Sequence, residues 1–189
     1  MELAGVVIPL RSFALGNQRL ANALDDAARF ALARQMADAV ADAAGALPVV
    51  VVSSAPEVVD WAERRNLPTI ADPGSLNAAA EAGREWVRSQ NLDRVVIAHA
   101  DLPHATTFVD VVGSASEVVI VPDQHDDGTP VLSLPVDAAF TFAYGPGSFA
   151  RHSNEAERRG LTVRIVRDPL LGYDVDTPED LSLLDTPRP

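Results

Sequence analysis

No lysine occurs in the 189 residues of the chain; all 15 of its cations are arginine. That absence excludes a P-loop lysine, a Schiff-base lysine and a lysine general base, since each needs an ammonium. Cysteine is absent as well. Thiol nucleophiles, cysteine–zinc sites and disulfides are therefore excluded, and an intracellular location is the simplest expectation. No apolar run reaches bilayer length: Met1 to Leu10 is too short to span a membrane and lacks the basic start of a signal peptide. Cations are outnumbered, 15 Arg against 27 Asp and Glu for a net charge of −12. Such a balance argues against binding nucleic acid or an anionic membrane, which demand clustered positive charge. A nucleotide substrate remains compatible, because it needs only a local cationic or metal site. The expectation is a soluble, cytoplasmic protein.

What is present is an ordinary globular mixture, 47% apolar and 22% charged, long enough to bury a core without covalent staples. Short β-branched runs alternate with longer Ala/Arg/Glu segments, the pattern of an α/β protein with a mostly parallel sheet. Strands are predicted at Ala4–Pro9, Pro48–Ser53, Thr69–Ala71, Arg94–Ala98, Glu117–Val121 and Leu161–Val166, with an antiparallel one at Val131–Leu134. Helices are predicted at Asp26–Ala44 behind an Asp25 cap, Pro56–Asn66, from Gly74 to about Ser89, near Thr107–Ser114, from Ser148 to Gly160, and from Thr177 onward. Thr177-Pro178-Glu179-Asp180 reads as a helix start, with a capping Thr, Pro at the first position and acids in the first turn. No linker or repeat interrupts the chain, so residues 1–184 form one domain and 185–189 a frayed tail.

Ligands of open α/β sheets collect beyond the carboxyl ends of the strands. The first strand is followed by a loop carrying Arg11, Ser12, Gly16, Asn17 and Arg19. Gly74-Ser75-Leu76-Asn77 follows the third, Asp101 the fourth, and Asp174-Val175-Asp176 lies near the last. That set suits an anionic ligand bridged by a divalent metal, for which Mg²⁺ takes one or two carboxylates plus substrate phosphates. Asp176 stands just before the final helix, where the helix dipole keeps a carboxylate ionised; alternation puts Asp174 on the same face. Each of these also has a plain structural reading, Asp101 as a turn former and the arginines as solvated surface charges. His99 and His104 flank Asp101 without a metal spacing and read as packed or surface residues. His125 and His152 read as exposed. Gly145-Pro146-Gly147-Ser148 is either a phosphate cradle at a helix start or simply a turn.

Several of these segments resemble one family. They are Ile8-Pro9-Leu10-Arg11 with Gln18-Arg19-Leu20, Ala71-Asp72-Pro73-Gly74-Ser75-Leu76-Asn77, Ala100-Asp101-Leu102-Pro103, Asp127-Gly128-Thr129, Tyr144-Gly145-Pro146-Gly147-Ser148-Phe149-Ala150-Arg151-His152 and Asp174-Val175-Asp176-Thr177-Pro178-Glu179-Asp180-Leu181. In order from about Val6 to Leu184 they are similar to the 2-phospho-L-lactate guanylyltransferases. The resemblance implies a single-domain, three-layer nucleotide-diphospho-sugar transferase-like (GT-A) α/β/α fold. It also implies transfer of GMP from GTP to a small phosphorylated carboxylate, phosphoenolpyruvate or 2-phospho-L-lactate, with release of pyrophosphate, in biosynthesis of the deazaflavin coenzyme F-420. It implies that Asp101 and Asp176 hold Mg²⁺, with Asp174 beside them. The loop from Pro9 and Leu10 through Arg11 to Arg19 would wrap the triphosphate, Arg19 acting on the leaving group. Gly74, Ser75 and Asn77 would lie near base or ribose, and Thr129, Gly145 and Ser148 would contact the acceptor. The protein would act as a monomer or homodimer. Asn17, Pro130 and His99 depart from the family pattern, Asn17 standing where a lysine is usual. These departures leave two alternatives, a weakened paralogue that binds nucleotide or phosphoacid, and a transferase with another base or acceptor.

Overall fold

Valine dominates the central strands, and the pairing follows from it. The structure is a computed structural model and describes residues 3–16, 18–175, 177–182 and 184. Its strands are β1 (Ala4–Pro9), β2 (Val49–Val52), β3 (Thr69–Ile70), β4 (Arg94–Ala98), β5 (Glu117–Val121), β6 (Val131–Pro135) and β7 (Thr162–Ile165). Helices α1 (Asp26–Ala43), α2 (Pro56–Arg64), α3 (Leu76–Ser89), α4 (Ser148–Arg158) and α5 (Pro178–Ser182) connect or follow them. The sheet order is β3-β2-β1-β4-β6-β5-β7. Neighbours pair in parallel except at β6, which runs antiparallel to both β4 and β5.

Successive residues feed opposite faces of the sheet, as the two-residue period requires. Val6, Ile8, Val51 and Val96 pack under α1 and α2 with Trp61, whereas Val7, Val50, Val95 and Ile97 pack under α3 and α4. Helix, sheet and helix are therefore the three expected layers. Contact between α3 and β1 is so close that a Cβ added at Gly83 would stand 2.1 Å from Val7 Cγ1. Helix starts follow the capping residues: Asp25 Oδ1 accepts from Ala28 N at 2.8 Å and Ser75 Oγ from Ala78 N at 3.2 Å.

One expected helix is not there. Between Thr107 and Ser114 the chain makes only a single 3-10 turn at Val109–Val111. Three β-branched valines lower the helix propensity, and Gly113 at φ +83° breaks the continuation. The buried Arg94 guanidinium also claims the carbonyls of Val112, Ser114 and Glu117, which an α-helix would have used or displaced. Among the described residues no helix is long and apolar enough to cross a membrane.

Pairing register gathers the loops that matter on one edge. Ile8 is opposite Val51 and Val7 opposite Ile97, so β1, β2 and β4 end side by side. Because β6 is reversed, with Val131 opposite Ala98, its first residue starts where β4 stops. His99 N donates to Pro130 O at 2.9 Å just past that point. The loop after β4 and the loop before β6 thus share one edge of the sheet.

Candidate active site

The loop after β1 is shaped by a single hydroxyl. Ser12 Oγ donates to Glu57 Oε1 at 2.6 Å and accepts from Ala14 N and Leu15 N at 3.1 and 3.3 Å. Glu57 sits in the first turn of α2, and the Ser12 hydroxyl, ahead of nearby backbone N–H groups, holds its carboxyl below the usual carboxylate range. Arg11 leaves this loop and reaches across the edge, donating to Gly74 O at 2.5 Å with Asp72 Oδ2 3.6 Å away. Asp72 Oδ1 in turn accepts from Gly74 N at 2.8 Å. A cleft of about 280 Å³ runs between Pro9, Leu10, Arg11, Gly16 and Asp101. A second hollow, of about 480 Å³, continues from Pro9, Leu10 and Arg11 to Gly74 and Ser75. The shared residues make the two a single groove.

Asp101 is half-buried beyond the end of β4. Its carbonyl accepts from Val175 N at 3.3 Å, which draws the segment bearing Asp174 against it. That segment is anchored on both sides of Asp174: Tyr173 and Val175 pack with Leu20, Leu32 and Met36 in a separate buried cluster. Tyr173 Oη also donates to the Asp180 carbonyl. Thr177 N and Oγ1 donate to Asp180 Oδ2, both at 2.8 Å, and Asp180 N donates back to Thr177 Oγ1 at 3.3 Å. This is the reciprocal cap expected at the start of α5. Arg19 lies exposed in the 3-10 turn Gln18–Leu20, placed by its buried neighbour Leu20. Asp176 and Asn17 lie outside the described residues.

In the loop before β6 and at the start of α4 the polar groups are buried. Thr129 is 1% exposed, Ser148 2% and His152 0%. Ser148 Oγ lies 3.2 Å from Thr129 Oγ1, and His152 Nδ1 lies 3.1 Å from the same oxygen. Ala143 N donates to His152 Nε2 at 2.9 Å. The turn before α4 needs its glycines, since Gly145 has φ +108° and Gly147 φ +73°, where a side chain is strained. Arg151 braces this turn through the carbonyls of Ala143 and Tyr144. Burial raises the Tyr144 phenol well above its ordinary value and lowers His152 to about 4, the neighbouring Arg151 and His99 adding to the latter. Both groups are therefore neutral at physiological pH.

Two contacts join the halves of the edge. Asn77 Oδ1 accepts from Tyr144 N at 2.7 Å, and the His99 ring packs against that of Tyr144 with centroids 5.3 Å apart. The groove itself carries Arg11 and Asp101, and the buried hydroxyls of Thr129 and Ser148 lie behind the His99–Tyr144 ring contact.

A model of the CofC-like guanylyl transferases matches residues 4–184. The chain belongs to this family. A phosphoenolpyruvate guanylyltransferase of Sphaerobacter thermophilus is 35% identical over 187 residues, 94% of this chain and 90% of that protein. A 2-phospho-L-lactate guanylyltransferase of Methanothermobacter thermautotrophicus is 31% identical over 187 residues, 93% of this chain and 81% of that one. A solved nucleotidyl transferase from Methanothermobacter thermautotrophicus superposes with a TM-score of 0.67 at 16% identity, covering 97% of this chain and 96% of that one. At that identity the likeness shows a shared fold.

Within the CofC-like fold, Pro9, Leu10, Arg11, Gly74, Ser75 and Asp101 line the common groove. Asn77 does not line it; its carbonyl oxygen is engaged by Tyr144 instead. Thr129, Gly145 and Ser148 do not line it either: Thr129 and Ser148 meet each other in the interior, and Gly145 O accepts from Ser148 N at 3.0 Å. His152, expected on the surface, is fully enclosed by Thr129, Phe140 and Tyr144. The signal was in the sequence: Ser148 and His152 are four residues apart on a helix and so share a face. Glu57 gave no comparable signal, since its link to Ser12 spans 45 residues. A further hollow of about 310 Å³ between Asp123, Gln124 and Arg167 is built by its own loops. The Asp123 carboxylate there accepts from the N–H groups of His125, Asp127 and Gly128.

Proposed function

We propose that the chain transfers GMP from GTP to a small phosphorylated carboxylate, phosphoenolpyruvate before 2-phospho-L-lactate, in the biosynthesis of the deazaflavin coenzyme F-420. An oxygen of the acceptor's phosphate attacks the α-phosphorus, a new P–O–P bond forms, and the bond to the bridging oxygen breaks so that pyrophosphate leaves. An ionised phosphate is already a nucleophile, so no strong base and no covalent intermediate are needed. The work left to the protein is orientation and charge neutralisation, which a chain lacking lysine and cysteine can perform. Arg11 and Arg19 face the triphosphate in this reading, while Thr129, Gly145 and Ser148 receive the acceptor.

Mg²⁺ belongs to the same proposal. Asp101 and Asp174 offer oxygen donors only, on segments joined through the Val175 N–H to Asp101 carbonyl contact, and Asp176 completes the expected set. Mg²⁺ commonly takes one or two carboxylates and fills its shell with phosphate oxygens and water. Bound there, Mg²⁺ supplies charge neutralisation of the triphosphate.

The observation that carries the reading is the single groove in which Arg11, Gly74, Ser75 and Asp101 meet. A matrix of nucleoside triphosphates against phosphoacids, read by pyrophosphate release and by the mass of the diester, tests it. GTP with phosphoenolpyruvate is expected to give the strongest signal, lost on chelation of Mg²⁺ and in Asp101→Ala and Asp176→Ala. Turnover with CTP in place of GTP overturns the base assignment, and release that survives both substitutions overturns the metal assignment.

A further inference from the structure

The hydroxyl pair of Thr129 and Ser148 has a hidden neighbour in His152, and the protons can be counted. Ala143 N–H points at His152 Nε2 at 2.9 Å. A backbone N–H only donates, so Nε2 carries no proton and the neutral ring carries its proton on Nδ1. Nδ1 lies 3.1 Å from Thr129 Oγ1, so the imidazole donates to that oxygen. Thr129 and Ser148 together own two hydroxyl protons, of which one spans the 3.2 Å between them. Because the ring is itself a donor, the second proton is not consumed within the triad. In the opposite tautomer Thr129 would donate to the ring, both hydroxyl protons would be consumed, and the pair would offer none.

We infer that His152 is a positioning residue for the acceptor: held by the Ala143 N–H, it leaves the buried Thr129–Ser148 pair one proton to donate, suited to a phosphate or carboxylate oxygen. This rests on the acceptor assignment made above and adds a residue and a polarity to it. Burial supports it, since the cost of charging an enclosed imidazole keeps the ring neutral at physiological pH. A neutral ring leaves its orientation set by the backbone and not by the bound anion. Phe140 and Tyr144 pack the ring edges, so its direction is fixed.

The test has an arm that does not depend on turnover. Long-range ¹⁵N–¹H correlation spectra of the intact protein at neutral pH are expected to show Nδ1 protonated and Nε2 bare for His152; the opposite tautomer overturns the inference. His152→Phe keeps the ring packing and removes both nitrogens. The pair keeps its second proton but loses the ring that orients it, so KM for phosphoenolpyruvate is expected to rise about 5-fold, with KM for GTP within about 2-fold. In a Thr129→Val background the same substitution is expected to add nothing, because the effect travels through that hydroxyl. A phosphoenolpyruvate KM unchanged by His152→Phe, or an equal rise in both backgrounds, overturns the inference while leaving the acceptor assignment standing. A wild-type protein that turns over GTP with no phosphoacid overturns both.

Discussion

The nucleotide and acceptor sides of the proposed site, its two banks, are built on different principles. On the nucleotide bank the charged groups sit on long side chains near solvent: the Arg11 side chain is 65% exposed, and its tie to Asp72 at 3.6 Å is the kind of surface pair worth little. On the acceptor bank the groups are short, enclosed and hydrogen-bonded to one another, with Thr129, Ser148 and His152 all at 2% exposure or less. A long arginine adapts to a triphosphate and loses entropy when it does so. A buried hydroxyl pair adapts to nothing and loses almost none. In the proposed reading, recognition of the small partner is prepared in the fold, whereas the large nucleotide is gripped only when it arrives.

Asp101 lines the groove and is the proposed metal ligand, so its removal is expected to have the largest effect. Asp101→Asn is expected to lower kcat by about 10²–10³-fold, the range for a lost preorganised charge at a reacting centre, with the thermal unfolding midpoint close to wild type. Single-turnover pyrophosphate release checks it. A loss of only a few-fold would place the charge away from the point where the banks meet.

Acidification strikes the enclosed bank. His152 is lowered to about 4 in the fold, mainly by burial, against about 6.5 in an unfolded chain. Between those values the unfolded state binds a proton that the native state refuses, so stability falls as pH falls through 6.5 toward 4. The expected loss from pH 7 to pH 5 is about 2 kcal/mol, measured by urea denaturation, and His152→Phe should remove it. Glu155, drawn down to about 2 chiefly by Arg158, acts in another window: its contribution holds above the ordinary glutamate value and fades only below it. A stability profile equally steep in His152→Phe would break the claim that this bank resists charging.

How much of this was legible beforehand follows the range of the interactions. Valine runs, capping Asp25 and Ser75, and the reversed strand at Val131 are local patterns, and they gave the layers, their order in the chain and the edge where ligands gather. The failed helix at Thr107–Ser114 was overruled by Arg94, a residue of a central strand whose guanidinium takes carbonyls 18 to 23 positions away. Burial of His152 depended on Thr129 and Ala143 arriving from other elements, although its spacing from Ser148 hinted at a shared face. Pinning of the first loop by Glu57 had no trace in the sequence, because a serine in a loop and a glutamate in a helix are each unremarkable alone. Thr129 and Ser148, paired by the resemblance alone, do meet although they stand 19 positions apart.

On the exposed bank smaller effects are expected. Arg11→Gln keeps length and polarity but removes the charge. Its partners in the protein are a carbonyl and a distant carboxylate, so little stability is at stake. KM for GTP is expected to rise about 5-fold, roughly 1 kcal/mol, with KM for phosphoenolpyruvate unmoved. A matched rise in both constants would mean that the banks are not separate.

Ser12→Ala sharpens the contrast at its weakest point. The hydroxyl accepts from Ala14 N and Leu15 N and donates to Glu57, so its loss unties three contacts in a loop near solvent. Water can replace most of them there, and each net bond in such a setting is worth about 1 kcal/mol or less. The expected result is a rise of about 2- to 3-fold in KM for GTP and faster amide exchange at Ala14 and Leu15. The Glu57 carboxyl, no longer held by the hydroxyl, should titrate closer to its ordinary value. Amide exchange and a carboxyl titration followed by NMR read the two consequences separately. If the exchange rates stay at wild-type levels, the first loop is held by something other than Ser12, and the nucleotide bank is more rigid than its exposed side chains suggest.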